Sequence, residues 1–308
     1  MRTRVVNVIH DSCKAGVEPI EFRLLGPLEV LCDGIPRPLS GQRQRVLLAL
    51  LLLRAGKVVS VDQLIDKLWN GSPPRTAVAS VHNGIVQLRR LVGADTLRTR
   101  SPGYFLQVAP EQVDAMCFER LLESSRGYGV ERRRLLLGNA LALWRGPVLA
   151  ELQFETFVQP EVQRLEELHL QALEERIETD LELGRHQFLV PELQQLVAVE
   201  PLRERFRAQL MLALYRSGRQ VEALDVYRRT RMTLAEHLGI DPCLELKSLE
   251  RAVLRQDPLL DLSGAGTRGI APNPLDSSSV PARVDALGLL DRTRERLARW
   301  LAPELANG

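Results

Sequence analysis

One stretch of the chain, Arg75–Ala94, combines hydrogen-bonding side chains with a complete absence of acidic ones. Side chains that recur every three or four residues lie on one face of a helix, and the polar ones that do so here are Thr76, Ser80, Asn83, Gln87 and Arg90. Asn and Gln can pair with adenine, Arg with guanine, and Ser or Thr with several base edges of DNA. A helix that only faces water usually mixes acids with bases, so we interpret these five residues, the reading face, as a surface for nucleic acid.

The residues around the reading face fit the same interpretation. His82, Val86 and Arg89 flank it, and Val86 could contact the methyl group of a thymine. The opposite side of the helix is apolar at helical spacing. Its predicted core residues are Val78, Val81, Ile85, Leu88 and Val92. A polar face that merely contacts solvent is the alternative for this helix taken alone.

A short basic hairpin follows this helix and weakens that alternative. The pattern of Thr96–Val108, the wing, predicts two strands joined by a tip at Ser101–Gly103. Arg98 and Arg100 alternate outward on the first strand, and we also expect Tyr104 to contact DNA. A basic wing beside a reading helix contacts the phosphate backbone or the minor groove.

The start of an earlier helix is a candidate phosphate contact. Gln42, Arg43 and Arg45 lie in its first turn, where backbone N–H groups and arginines both favour anions. Lys57 and Arg75 are similar candidates. A solvated helix start is the alternative interpretation.

Local signals arrange these residues as a winged helix-turn-helix. A β-rich segment, 20–30, leads into a turn at Asp33–Gly34 and a return strand. Ser40 is predicted to cap a helix that runs from about Gly41 to Arg54. Ser60 caps a second helix that ends at Gly71, and Pro73–Pro74 separates it from the third.

The rest of the chain is predicted to be helical from Asp114 to about Pro258 and to contain a repeat. Gly184 and Gly218 lie 34 residues apart within similar segments, and this period is typical of tetratricopeptide units. Helices over 118–144, 157–183 and 244–254 would complete the stack. The expected fold is therefore mainly α: a winged helix-turn-helix with small β elements, then an all-α, tetratricopeptide-like domain.

Four segments follow from these patterns. Residues 1–19 are expected to form a flexible arm, 20–110 the winged helix-turn-helix and 111–258 the helical domain. Residues 259–308 contain a linker rich in Gly, Ser and Pro and a possible amphipathic helix. The linker matches G-x-G-x-x-G at Gly264–Gly269, but it lacks the β-α-β context of a dinucleotide site.

Composition separates the two ends of this 308-residue chain. Residues 1–110 hold 15 Lys and Arg against 8 Asp and Glu, while the remainder holds 26 against 31. Only the first third is therefore expected to meet a polyanion. The four cysteines have no metal-site or redox spacing, and no apolar run could span a bilayer. We expect a cytoplasmic, non-enzymatic protein without cofactor or metal and without membrane contact.

These residues carry a family resemblance. Segments 41–93 and 99–108 resemble the OmpR-type DNA-binding domain of the Streptomyces antibiotic regulatory proteins. Segments 114–122, 140–152, 160–186 and 203–246 resemble the bacterial transcriptional activator domain of that family. Many members have two prolines where this chain has Ser101–Pro102, and this departure could loosen the tip of the wing.

The resemblance implies a pathway-specific activator of antibiotic or other secondary-metabolite genes. Members bind direct repeats in double-stranded DNA near the −35 element and recruit RNA polymerase through its sigma factor. It also implies a homodimer or side-by-side protomers on DNA, the reading face as the base-contacting surface, and Arg100 as the wing arginine. Because the chain has neither a phosphate loop nor a receiver domain, it resembles the small class without an ATPase, and control by aspartyl phosphorylation is not expected.

Two other hypotheses remain open at this point. In the first, the helical array is the working surface of an adaptor and the winged helix binds protein, since fold alone does not fix function. In the second, the helical domain senses a small molecule and remains compatible with DNA binding. The acid-free reading face and the basic wing favour the activator.

Overall fold

The structure, a computed structural model, describes residues 20–261. Its first part begins with an antiparallel sheet in the order β1 (Ile20–Arg23), β2 (Glu29–Cys32), β3 (Ile35–Arg37). The predicted turn at Asp33–Gly34 is confirmed, because Cys32 pairs with Ile35 and both turn residues have positive φ. Glycine and aspartate tolerate this left-handed conformation better than most residues.

Three helices follow the first sheet and form the core of the winged helix. They are α1 (Gln42–Leu52), α2 (Val61–Trp69) and α3 (Ala77–Val92). A second antiparallel sheet has the order β4-β6-β5, formed by β4 (Val58–Ser60), β6 (Gly103–Leu106) and β5 (Leu97–Arg100). Strands β5 and β6 are the predicted wing, so the winged helix-turn-helix is confirmed.

The ends of α1 and α2 show which cap predictions were right. The Ser60 hydroxyl accepts a hydrogen bond from the Gln63 amide at 3.1 Å, and the Ser60 amide donates one to the Gln63 side chain at 3.2 Å, so the capping box of α2 forms as expected. The prediction that Ser40 caps α1 was wrong. Gly41 holds the N-cap position, and the amide of Ser40 donates to the buried side chain of Gln44.

The apolar stripe of α3 is confirmed with one exception. Val81, Ile85, Leu88 and Val92 are buried, whereas Val78 is 49% exposed. Ala77, the first residue of the helix, is buried in its place. Periodicity alone could not show that the first turn of α3 tilts a valine outward.

Seven helices form the remainder of the described chain. They are α4 (Asp114–Ser125), α5 (Val130–Leu141), α6 (Gln159–Glu182), α7 (His186–Val199), α8 (Glu204–Arg216), α9 (Gln220–Leu238) and α10 (Leu244–Arg255). The expected single helix over 118–144 is wrong, because the chain turns between α4 and α5. Residues 142–158 were also expected to be helical but consist of turns and one short 3-10 segment.

The 34-residue repeat is confirmed in the backbone. Gly184 and Gly218 have φ of 73° and 75° and end α6 and α8 in the left-handed conformation. After each glycine the same hydrogen bond forms at 2.9 Å, from the Arg185 amide to the Asp180 carbonyl and from Arg219 to Leu214. Two helix–turn–helix units therefore share one turn geometry, and glycine supplies the positive φ that each turn needs.

Contacts between Cα atoms divide the described chain into two compact units. The first contains 20–124 and 139–170, and the second contains 125–138 and 171–261. The first unit thus joins the winged helix to α4 and to the turns of 142–158. No helix among the described residues is both long and apolar enough to span a membrane.

Candidate nucleic-acid interface

The reading face lies on the solvent side of α3. Asn83, Gln87 and Arg90 are exposed, and Ser80 is partly exposed. Thr76 is exposed but occupies the N-cap position, one residue before the helix begins. Val86 and His82 are exposed on its flank, so this surface offers donors, acceptors and one apolar group together.

The wing presents both of its arginines to solvent, as expected. Arg98 donates from Nε to the carbonyl of Asp95 at 2.9 Å, and Arg100 lies with its guanidinium 4.5 Å above the ring of Phe105. Both guanidinium groups keep donors that these contacts do not use. They can therefore reach a phosphate or a groove from fixed starting positions.

A close backbone approach fixes the wing against the helix-turn-helix. Gly103, the first residue of β6, pairs with Ser60 at the end of β4. A Cβ atom at Gly103 would lie 1.9 Å from the carbonyl oxygen of Val59, which is impossible without moving a strand. Because Ser60 also caps α2, this glycine holds the tip end of the wing directly against the start of the second helix.

The side chain of Arg89, a residue of α3, extends from the helix to the wing. Its Nε donates to the Leu97 carbonyl at 2.8 Å, its Nη2 donates to the Thr99 hydroxyl at 2.7 Å, and its guanidinium carbon lies 5.8 Å from the centre of the Tyr104 ring. The side chain is partly buried. The sequence pattern places Arg89 among the DNA contacts and does not reveal these intramolecular bonds.

Tyr104 is located differently from our expectation. Its side chain is 6% exposed and meets His82 edge-on, with 6.4 Å between the ring centres. Burial raises the pKa of its phenol, an effect that nearby Arg89 partly opposes. The ring therefore packs between α3 and the wing, and its burial argues against a direct DNA contact.

The predicted phosphate contact at the start of α1 is partly occupied by the chain itself. Arg45 forms an ion pair with Glu151 at 3.6 Å, and Gln42 donates to the Glu151 carbonyl at 3.4 Å. Arg43 lies 5.7 Å from the centre of the Trp69 ring. Arg43 is exposed and Arg45 is partly exposed, so both keep access to solvent.

The remaining basic candidates have no acidic partner within residues 20–261. These unpaired cations are Lys57, Arg75, Arg90, Arg98 and Arg100, and all are exposed. Exposed cations and an acid-free helix are features that favour contact with a polyanion.

Three residues that sequence reasoning missed hold the first unit together. Asp114 accepts hydrogen bonds from the amides of Leu24 at 2.7 Å and Leu25 at 3.0 Å, and Glu151 accepts one from Leu28 at 3.0 Å. Arg145 donates to the Pro27 carbonyl at 3.0 Å. We name Asp114, Arg145 and Glu151 the clasp. Its partners are about 90 or more positions away, so no local signal reveals them.

Several acids of α6 form ion pairs within the second unit. Asp180 pairs with Arg134 at 2.5 Å, and Glu174 pairs with Arg203. Glu175 pairs with Arg126 at 3.3 Å. The net negative charge of the helical region therefore does not form an uninterrupted acidic surface along this helix. Within residues 20–261, no three His, Cys, Asp or Glu side chains group as metal ligands would.

Comparison with known proteins agrees with both parts of the chain. Residues 39–106 match the family described as "Transcriptional regulatory protein, C terminal", and residues 113–254 match the "Bacterial transcriptional activator domain". Regulatory protein DnrI of Streptomyces peucetius is 40% identical over 261 residues, which are 80% of this chain and 96% of DnrI. The chain belongs to the Streptomyces antibiotic regulatory protein family.

Two further similar proteins, AfsR and EmbR, are longer than the region that matches this chain. Regulatory protein AfsR of Streptomyces coelicolor is 41% identical over 86% of this chain, but the match covers only 27% of AfsR. A structure of Mycobacterium tuberculosis EmbR in complex with a low affinity phosphopeptide superposes with a TM-score of 0.74 and 31% identity, over 92% of this chain and 71% of EmbR. The chain is thus a transcriptional regulator whose DNA-binding domain is of the OmpR type.

Proposed function

We propose that this family member activates a pathway-specific set of antibiotic or other secondary-metabolite genes. In this proposal it binds direct repeats near the −35 element and recruits RNA polymerase through its sigma factor. The observation that carries the DNA-binding step is the exposed, acid-free reading face beside a wing whose arginines have no acidic partner in the described chain. The similarity to DnrI and AfsR supports the regulatory role.

The proposal divides the work between two groups of side chains. Asn83, Gln87 and Arg90 read base edges in the major groove, where such pairs distinguish one base from another. Arg100 and Lys57 contact phosphates and supply affinity that does not depend on sequence. Arg43, Arg45 and Arg75 add further phosphate contacts, while His82 and Val86 border the base-reading residues.

Direct repeats require protomers in the same orientation, side by side on the duplex. Such protomers would place the exposed loop between α2 and α3, Asn70–Pro74, on a repeated surface that polymerase could contact. The helical unit would supply further protein contacts, between protomers or with polymerase. We expect the protein to act in the cytoplasm, at the nucleoid.

Selection of bound fragments from random and host genomic DNA tests the proposal. The purified full chain is used at near-physiological salt, because affinity for phosphates falls steeply as salt rises. Enrichment of a direct repeat with a spacing of about one helical turn is the expected result. Recovery of fragments without a shared sequence, with binding that disappears at modest salt, would overturn it and favour the adaptor hypothesis.

A further inference from the structure

The geometry points to Arg89 as a positioning residue that fixes the wing relative to the reading helix, so that both can engage one stretch of DNA. This inference rests on the proposed function, because it concerns how the same surface meets the duplex. It assigns to Arg89 a role different from that of Arg90, its neighbour on the helix.

The first support is the pair of hydrogen bonds that cross from α3 to β5. Nε of the Arg89 guanidinium donates to the Leu97 carbonyl, and Nη2 donates to the Thr99 hydroxyl. These two acceptor residues lie two positions apart on strand β5. A rigid planar group held at two points on one strand fixes both the distance and the angle of that strand. Rotation of the wing about α3 would have to break at least one of these bonds.

The second support is that the contact extends to the other strand of the wing. Thr99 pairs with Tyr104 across the hairpin, and the guanidinium of Arg89 also lies against the Tyr104 ring. Tyr104 in turn meets His82, which lies two helical turns before Arg89 on α3. The wing therefore contacts α3 at two positions along the helix, His82 and Arg89, and the buried Tyr104 ring touches both side chains.

Arg90 shows what an arginine of this helix does without such partners. It is exposed, and no ion pair holds it within the described residues. Arg89 is partly buried and already bonded in the chain without DNA. Two adjacent arginines thus have separate functions, one fixing the wing and the other meeting DNA.

A double-mutant cycle on the selected direct repeat tests this assignment. Arg89→Ala and Arg100→Ala are each expected to weaken binding about 10-fold, the scale of one lost charged hydrogen bond. If Arg89 acts through the wing, Arg100 no longer reaches its phosphate in Arg89→Ala. The double variant should then be less than about threefold weaker than either single variant, instead of about 100-fold weaker than the wild type.

The salt dependence of DNA binding is a second measurement, and a loss of protein stability alone would not change it. Arg89→Ala should lower the slope of log K against log salt by about 0.9, and adding Arg100→Ala should lower it no further. Arg90→Ala serves as the matched control, since its effect should add to that of Arg100→Ala. Additive slopes for Arg89 and Arg100 would instead show that Arg89 contacts a phosphate itself and would overturn the inference.

Two more variants keep the test decisive. Arg89→Lys retains the charge but cannot bridge Leu97 and Thr99, so it should behave like Arg89→Ala; restoration of the slope by lysine would contradict the inference. If Arg89→Ala does not fold, Thr99→Val removes only one of the bonds and should still reduce the effect of Arg100→Ala. If Arg100→Ala weakened binding as strongly in the Thr99→Val background as in the wild type, the inference would be overturned. Failure of the wild-type protein to select any repeat would instead contradict the proposed function.

Discussion

Asn83 and Gln87 hold the positions on α3 at which a single side chain could decide which base is preferred. Each is exposed on a helix without acids. Replacement of either residue by alanine should relax discrimination at one or two base pairs by about 1–3 kcal/mol. Competition binding with single base-pair variants of the selected site measures this change.

Arg100→Ala provides the contrast at the same scale. Because a phosphate contact carries no sequence information, this variant should weaken binding to all sequences alike and flatten the salt dependence. A titration in which Arg100→Ala altered only sequence preference would show that the roles of the helix and the wing are assigned wrongly.

Asp114 of the clasp links stability to pH. Burial raises the pKa of this carboxyl from its ordinary value of 3.8 to about 6, although the amides of Leu24 and Leu25 and the charge of Arg145 act in the opposite direction. A raised carboxyl pKa means that the folded state binds the proton more tightly than the unfolded chain. The stabilisation of the folded state by protonated Asp114 is thus complete below the pKa that this carboxyl has in the unfolded chain, and it is lost as pH rises through about 6.

Comparison with Asp114→Asn isolates this effect from that of other carboxyl groups. The free energy of unfolding of the wild type, relative to the variant, should fall by roughly 2 kcal/mol from about pH 4.5 to about pH 7. Urea unfolding across this range measures it. A difference that stays constant would show that Asp114 binds its proton equally in both states.

At the scale of elements, the wing depends on the missing side chain of Gly103. Gly103→Ala should destabilise the protein by at least about 3 kcal/mol, because the new methyl group would collide with the backbone of β4. Gly84→Ala is the matched control. Its Cβ would meet only the terminal Cδ2 of Leu47, at 2.8 Å, and alanine favours a helix by about 1 kcal/mol. Thermal and urea unfolding should separate the two variants, and equal losses would contradict the prediction.

The elements also show what the sequence could predict and why. The cap at Ser60, the turn at Asp33–Gly34 and the glycines of the 34-residue repeat depend on neighbours a few positions away, and all three were predicted correctly. The apolar stripe of α3 follows from the same local periodicity.

What the sequence did not predict depends on distant contacts. Arg89 turns inward because the wing returns beside it, and Tyr104 is buried by the same approach. The clasp joins residues about 90 or more positions apart, where no spacing rule applies. The positions expected to bind bases could therefore be placed on an exposed helix face, but the intramolecular bonds of Arg89 and the burial of Tyr104 required the fold.

For the whole molecule, the distribution of charge predicts where DNA affinity resides. Arg90→Glu should lower the slope of log K against log salt by about 1 or more, since it removes a cation and adds an anion at the duplex. Arg228→Glu makes the same change on an exposed position of α9 and should leave that slope unchanged. An equal effect of both would show that net charge, not the winged-helix surface, controls binding.

The clasp also limits how this regulator can be dissected and recombined. A fragment that stops at residue 110 would lose Asp114, Arg145 and Glu151, and the amides of Leu24, Leu25 and Leu28 would lose their acceptors. A hybrid that borrows the target preference of a relative should therefore exchange the first 170 residues as one piece, or retain the three clasp residues and the loop they hold. Promoter specificity in this chain is portable only together with the start of its activator region.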